Sequence, residues 1–306
     1  MGVEVLETAA HCRALLDGER AAGRTVGLVP TMGALHAGHV SLLARARAEC
    51  DVVAVSIFVN PLQFGDPEDI AHYPRTLEHD LVVCAEKGAD VVFAPPVAEM
   101  YPSWPEAPAT AVTVGGVSEA WEGASRPGHF DGVANVVAKL FSIAGPCRAY
   151  FGEKDFQQLA VVRRLAADLV LPVEVVGCPT VREADGLALS SRNVRLSPEE
   201  RRAAAVLFRA LSAAQARVTG GLRSGCAVAQ VMRDAVALEP LVRLDYAAAV
   251  DAESLAEVDE VSDPSSVRLL IAAVVGRVRL IDNAPALAWT ELSEHGRPVR
   301  HLERIG

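Results

Sequence analysis

Apolar residues come in short, nearly unbroken runs along the first 180 positions, and stretches of helical period separate them. Positions 26–29 (Val-Gly-Leu-Val) and 52–58 (Val-Val-Ala-Val-Ser-Ile-Phe) read as strands buried on both faces. Pro30 ends the first run, because it brings no amide hydrogen to a ladder. Residues 77–87 read as a helix stopped by Gly88, and 90–94 as a short strand. Two more pairings follow: helix 134–143 with strand 148–151, and helix 155–169 with strand 173–177. Strands that alternate with helices predict a parallel sheet covered on both faces, with ligands at the carboxyl ends of the strands.

After about Val181 the texture changes. Residues 198–218 are rich in alanine and arginine, and predict one long helix capped by Ser197 with Pro198 in its first turn. Gly220-Gly221 breaks it, 226–238 is a second helix, and 244–250, 267–275 and 278–281 read as strands. This predicts a smaller α+β domain over 182–306, after a first domain over 1–181, with a polar tail after 284.

The chain has 306 residues, 51% hydrophobic and 22% charged, which suits about two globular domains and excludes a disordered chain. No apolar run is long enough to span a bilayer, and the N-terminus lacks the basic-then-apolar order of a signal peptide. Both absences point to the cytoplasm and to no membrane partner. The net charge of −10, from 29 basic and 39 acidic residues, disfavours nucleic acid as a partner. The six cysteines form no CxxC pair and read as buried free thiols, with no clustered zinc ligands.

The chemistry concentrates after the first strand, in Pro30-Thr31-Met32-Gly33-Ala34-Leu35-His36-Ala37-Gly38-His39. Gly33 and Gly38 permit close approach or positive φ, and a helix is predicted to begin near His39. A helix start offers amides and a favourable dipole to an anion, and two imidazoles three residues apart can donate to phosphate oxygens. The competing reading is two capping or packing histidines; HxGH directly after a strand and a glycine turn favours phosphate. Asn60 and Gln63, in the turn after the second strand, suit a small polar acid, or are ordinary turn residues. Gly152-Glu153-Lys154-Asp155 repeats the strand–glycine–helix layout with a lysine for phosphate, or is an exposed loop with a solvated Glu-Lys-Asp run, and Gln158 lies one turn further in. Leu189-Ser190-Ser191-Arg192 can clamp a phosphate or form a polar hinge. Arg126-Pro127-Gly128-His129-Phe130 is uninformative on spacing alone.

Together these segments resemble the pantoate–β-alanine ligase family. The matching pieces are PTMGALHAGH at 30–39, SIFVNPLQF at 56–64, YPRT at 73–76, RPGHF at 126–130, FGEKDFQQL at 151–159 and PTVREADGLALSSRN at 179–193. HxGH alone is shared with nucleotidyltransferases and class I aminoacyl-tRNA synthetases; six motifs in order are far more specific. The resemblance implies a Rossmann-like α/β fold with the smaller α+β domain as a lid. It implies a homodimer and a ligase that joins pantoate to β-alanine through a pantoyl adenylate, releasing pyrophosphate and AMP. Met32 to His39, Gly152 to Asp155, Val181 and Leu189 to Arg192 would then line ATP. His36, His39 and Lys154 would be catalytic, His39 matching the family's proton donor, with its imidazolium stabilising charge on the phosphates. Gln63 and Gln158 would bind pantoate, and Gln63 and Asn60 β-alanine. Mg²⁺ would accompany ATP, held chiefly by phosphate oxygens, with Asp80 the one protein candidate.

Leu189 and Leu62 stand where the family commonly has methionine, swaps that conserve volume. The stretch after YPRT, Leu77-Glu78-His79-Asp80, is less acidic than in some members. Three other readings compete: a nucleotidyltransferase acting on another small acid or phosphate, a non-catalytic nucleotide-binding relative, and a tRNA synthetase. The first does not explain the paired glutamines Gln157 and Gln158. The second is expected to have lost phosphate ligands, yet His36, His39, Lys154 and Arg192 are present. The third lacks a basic appendage.

Overall fold

The computed structural model describes residues 3–65 and 67–287. The described chain forms two compact units, one reaching Val181 and including Leu189–Ser191, the other holding Arg182–Ala188 and the chain from Arg192 on.

In the first unit the elements run β1 (Glu4–Leu6), α1 (Ala9–Ala21), β2 (Val26–Thr31), α2 (Ala37–Glu49), β3 (Val52–Ile57), α3 (Pro67–Ala71), α4 (Leu77–Glu86) and β4 (Val91–Phe93). They continue with α5 (Val97–Met100), α6 (Glu122–Ser125), α7 (His129–Ala144), β5 (Cys147–Gly152), α8 (Phe156–Asp168) and β6 (Val173–Cys178). The six strands form one sheet, ordered β1-β4-β3-β2-β5-β6, and every pairing is parallel. Side-chain alternation divides the core in two. Val26, Leu28, Ala54, Phe93 and Phe151 pack with α1, α7 and α8 on one face, through Leu16, Phe141 and Leu165. Val29, Val53, Val55, Val92 and Tyr150 pack on the other with Leu43 and Ala46 of α2 and Cys84 of α4. Burial on both faces explains why the strand sequences are apolar without alternation.

Pro30 does not end β2; it is the fifth residue of that strand, opposite Ser56 of β3. Thr31 accepts from Phe58 on the β3 side, so the Pro30 nitrogen faces β5. There β2 is paired at Gly27 and Leu28, before Pro30, and no ladder bond is lost.

The second unit contains α9 (Pro198–Ala204), α10 (Val206–Thr219), α11 (Gly225–Ala237) and the antiparallel sheet β7 (Val242–Asp251), β8 (Val267–Val275), β9 (Val278–Pro285). The predicted single helix over 198–218 is two helices that meet at Ala205, where ψ relaxes to −11°. The predicted tail after 284 begins later: β9 includes Pro285, Ala286 is fully buried, and Gln215 donates to the carbonyls of Pro285 and Leu287. The remainder of that tail, 288–306, lies outside the described residues. Among the described residues, no helix is long and apolar enough to cross a membrane.

A buried ion pair fixes the 182–188 segment within this unit. Arg182 donates to both oxygens of Asp282, at 2.6 and 2.9 Å, and stacks over Phe208. Asp282→Ala leaves the guanidinium without its carboxylate, and is expected to lower stability by about 3–5 kcal/mol in urea denaturation of the full chain. A loss below about 1 kcal/mol would mean that water already screens the pair.

Candidate active site

The predicted site segments follow β2, β3, β5 and β6 at the carboxyl edge of the sheet. From β2 the chain runs outward through β3 and β4, then returns to β5 and β6 on the other side. The order therefore reverses between β2 and β5, which is where open α/β sheets bind ligands.

The loop from Met32 to His36 is shaped by one carboxylate. Gly33 and Ala34 take positive φ, +81° and +50°, and the Ala34 and Leu35 amides then donate to Asp80 at 2.9 and 2.8 Å. The Thr76 hydroxyl donates to the same carboxylate at 3.1 Å. A Cβ on Gly33 would lie 2.9 Å from Asp80 Oδ2, so this position needs glycine for space as well as for its dihedral. Asp80 is fully buried, and both its oxygens are engaged by the protein. In this structure it clamps the loop through these three bonds. Among the described residues, no three His, Cys, Asp or Glu side chains gather in a way that could hold a metal ion.

Helix α2 starts at Ala37, two residues earlier than predicted, with His36 as its N-cap. His36 Nδ1 accepts from the Gly38 amide at 3.1 Å, and His39 Nδ1 accepts from the His36 amide at 3.3 Å. The two imidazoles thus form a reciprocal capping box, with ring centroids 4.1 Å apart. Gly38 is required here, because a Cβ would lie 2.8 Å from His36 Cε1. An Nδ1 that accepts from an amide carries no proton, so in each neutral ring the proton sits on Nε2. Burial lowers the pKa of His36, and the neighbouring Lys154 ammonium adds to the effect. Burial, followed by the charge of His36, pushes His39 down to about 3. His39 is therefore neutral at pH 7 before ligand binds, not the imidazolium expected from the resemblance. The helix start is also partly self-capped, so the donors left for a phosphate are ring Nε2–H groups more than helix amides.

Gln63 stands on a buried support. Its side-chain Oε1 accepts from Asn60 Nδ2 at 2.9 Å, and its Nε2 turns toward Met32 Sδ at 3.1 Å. Its backbone carbonyl accepts from His129 Nδ1 at 2.9 Å. Arg126 can only donate, so His129 Nε2, 3.1 Å from Arg126 Nη1, is the acceptor. Burial and then Arg126 push His129 down to about 4, which keeps it neutral. Helix α7 meets this turn at Gly132, where a Cβ would lie 2.3 Å from the Leu62 carbonyl. The Asn60 side chain is turned toward the protein. Its Nδ2 serves Gln63 and the Gly132 carbonyl, and its Oδ1 accepts from Leu62 N and Tyr101 Oη. Its side-chain hydrogen-bonding capacity is filled within the protein, and it orients Gln63.

After β5, whose last residue is Gly152, Glu153–Asp155 form a 3₁₀ turn whose Lys154 Nζ lies 3.4 Å from Asp155 Oδ1. Lys154 and Asp155 both act on His36 electrostatically, so this segment and HxGH share one neighbourhood. The two glutamines of α8 have different jobs. Gln157 is buried and holds the 117–122 segment through the Glu122 amide and the Val117 and Ala120 carbonyls, whereas the half-buried Gln158 makes no such bonds. Leu189 N donates to the Val181 carbonyl at 3.0 Å, which sets Leu189–Ser191 beside the end of β6; Arg192 belongs to the second unit.

The family model described as pantoate-beta-alanine ligase matches residues 4–285. The chain belongs to the pantoate–β-alanine ligase family. It is 56% identical over 269 residues to pantothenate synthetase of Rubrobacter xylanophilus, covering 87% of this chain and 92% of that protein. It is 57% identical over 265 residues to that of Deinococcus radiodurans, covering 85% and 93%. The crystal structure of pantothenate synthetase from Thermus thermophilus superposes with a TM-score of 0.87 at 49% identity, covering 94% of this chain and all of that one. Pantoate-beta-alanine ligase from Francisella tularensis, complexed with beta-gamma ATP and beta-alanine, matches with a TM-score of 0.75 at 32% identity over 93% and 98%. The reaction is therefore the ligation of an acid to an amino acid with formation of an amide bond.

As a pantoate–β-alanine ligase, the chain holds its site in place with residues that the motif reading did not assign: Asp80 as a clamp, Tyr101, Arg126, His129 and Gly132. RPGHF was visible as a motif, but only the fold shows that it braces Gln63 from behind. Nitrogen-15 NMR at pH 7 is expected to show His36 and His39 as neutral Nε2–H tautomers and His129 as neutral Nδ1–H. An imidazolium at His39 would overturn the capping argument. Between the unfolded value, about 6.5, and the folded values of about 3 and 4, the unfolded chain binds more protons. The stability held by the neutral rings is thus full above pH about 6.5 and is lost as pH falls through the folded values. Asp80→Asn turns an NH₂ toward backbone donors or leaves one unpaired, and is expected to cut turnover at least about tenfold. Excess Mg²⁺ should not restore it; full rescue by Mg²⁺ would return Asp80 to the metal.

Proposed function

We propose that the carboxyl edge between β2 and β5 carries out both half-reactions of pantothenate formation. The triphosphate of ATP lies against HxGH, where the Nε2–H groups of His36 and His39 donate to its oxygens and Lys154 neutralises charge. Met32 to His39, Gly152 to Asp155, Val181 and Leu189–Ser191 frame the nucleotide. Pantoate lies against Gln63 Nε2 and Gln158, and β-alanine enters on the Gln63 side. A pantoate carboxylate oxygen attacks the α-phosphorus, the bond to the β-phosphate oxygen breaks, and pyrophosphate leaves with the electron pair. The β-alanine amine then attacks the acyl carbon, the carbon–oxygen bond to AMP breaks, and the amine gives up a proton. Positioning and charge neutralisation supply most of the acceleration in such transfers. Mg²⁺ accompanying ATP would be held chiefly by the phosphate oxygens and would supply charge neutralisation there. The observation that carries this reading is the pair of ring donors, fixed by their own backbone beside Lys154.

We also read the enzyme as a cytoplasmic homodimer. All six cysteines are free thiols, which suits a reducing compartment. Light scattering on the eluting peak measures the oligomeric state.

Labelled pyrophosphate is expected to exchange into ATP when pantoate is present and β-alanine is not. His39→Ala and Lys154→Ala should each slow this exchange by about 100-fold or more, the scale of one lost charge-stabilising donor, with little change in melting temperature. Exchange that demands β-alanine, or needs no acid at all, would overturn the adenylate route.

A further inference from the structure

The Tyr101 side chain is buried behind the Gln63 wall, and its hydroxyl ends on Asn60 Oδ1 at 2.9 Å. Which way the Asn60 amide faces is decided by groups that cannot change roles. Leu62 N–H can only donate, and it points at Oδ1 from 3.3 Å; the Gly132 carbonyl can only accept, and it lies 3.0 Å from Nδ2. Tyr101, facing an acceptor, must donate. Burial raises its phenol pKa well above the ordinary value, so the proton stays in place. Asn60 therefore offers N–H to Gln63, Gln63 must answer with Oε1, and its Nε2 is left for the site. If Asn60 turned over, Gln63 would turn too and present an acceptor. Tyr101 opposes the turn as well: with Nδ2 in place of Oδ1, its hydroxyl would have to accept, and its buried proton would lose the acceptor it has at 2.9 Å.

We infer that Tyr101 is a positioning residue that fixes Gln63 as a hydrogen-bond donor, and so makes this wall select an acid whose oxygens accept. The inference rests on the reading of Gln63 as a pantoate ligand. The Tyr101 ring has its own supports, Phe58 at 6.1 Å and the Lys139 ammonium 5.2 Å from the ring centroid, with Lys139 tied to the Met100 carbonyl at 2.7 Å. Tyr101→Phe thus removes the donor and keeps the packing.

Steady-state kinetics of Tyr101→Phe, Gln63→Ala, Gln63→Glu and the Tyr101→Phe/Gln63→Ala double variant test the inference. Tyr101→Phe is expected to raise KM for pantoate about fivefold to tenfold, the size of one net hydrogen bond. The kcat, KM for ATP and melting temperature should change little. In the Gln63→Ala background the Tyr101 change should add nothing, because the group through which it acts is gone. Gln63→Glu puts an acceptor in place of Nε2, and should raise KM for pantoate at least as much as Tyr101→Phe. Equal factors for Tyr101→Phe in both backgrounds, an unchanged KM in that variant, or normal pantoate binding by Gln63→Glu would each overturn the inference. If Gln63→Ala itself leaves KM for pantoate unchanged, the assignment of Gln63 fails and takes this inference with it.

Discussion

The buried carboxylate of Asp80 and the two backbone amides it receives hold up the HxGH loop. A buried carboxylate without donors costs several kcal/mol, so the chain beside it must supply them. Ala34 and Leu35 do so only because Gly33 and Ala34 take left-handed dihedrals that aim both amides at one side chain. That turn delivers His36 to the start of α2 in extended conformation, where its ring folds back onto the Gly38 amide. The tautomers of both imidazoles follow from this. Clamp, turn, cap and donor polarity are thus successive consequences of one satisfied buried charge.

The same logic governs Gln63. A glutamine amide has a donor end and an acceptor end, and in water neither is preferred. Behind Gln63, fixed-role groups on Leu62 and Gly132 orient Asn60, and Asn60 orients Gln63. His129 and Arg126 hold the backbone carbonyl of Gln63 from the other side. Gln63, like the two imidazoles, is therefore held with its polarity already chosen. A reaction driven by positioning needs this, because a site that reorients its dipoles during the reaction gives back much of what they stabilise.

Much of the fold was legible because burial on both faces of a parallel sheet writes itself as apolar runs, as in 52–58. The exceptions have physical causes. Glu4–Leu6 is only three residues long, too short to show a pattern, and pairs only with β4. Pro30 looked like a terminator, since sequence does not say on which side the neighbouring ladder has already ended. The break at Ala205 carries no glycine or proline to mark it. Among candidate site residues, the sequence could nominate those on contiguous motifs: His36, His39, Lys154, Gln63 and Gln158. What sequence concealed was direction. Asn60 and Asp80 have the chemistry of ligands, and only the fold shows their polar atoms turned toward the protein.

That distinction bears on the metal. An octahedral Mg²⁺ keeps several waters and takes few protein ligands when phosphates are available. Asp80 is committed to the loop, and moving it to a metal would orphan the Ala34 and Leu35 amides and release the turn that presents His36. Binding metal through Asp80 would thus dismantle the donors that the metal would assist. The proposed reading therefore has the divalent charge arrive on the nucleotide, with neutral ring donors and one lysine supplied by the protein.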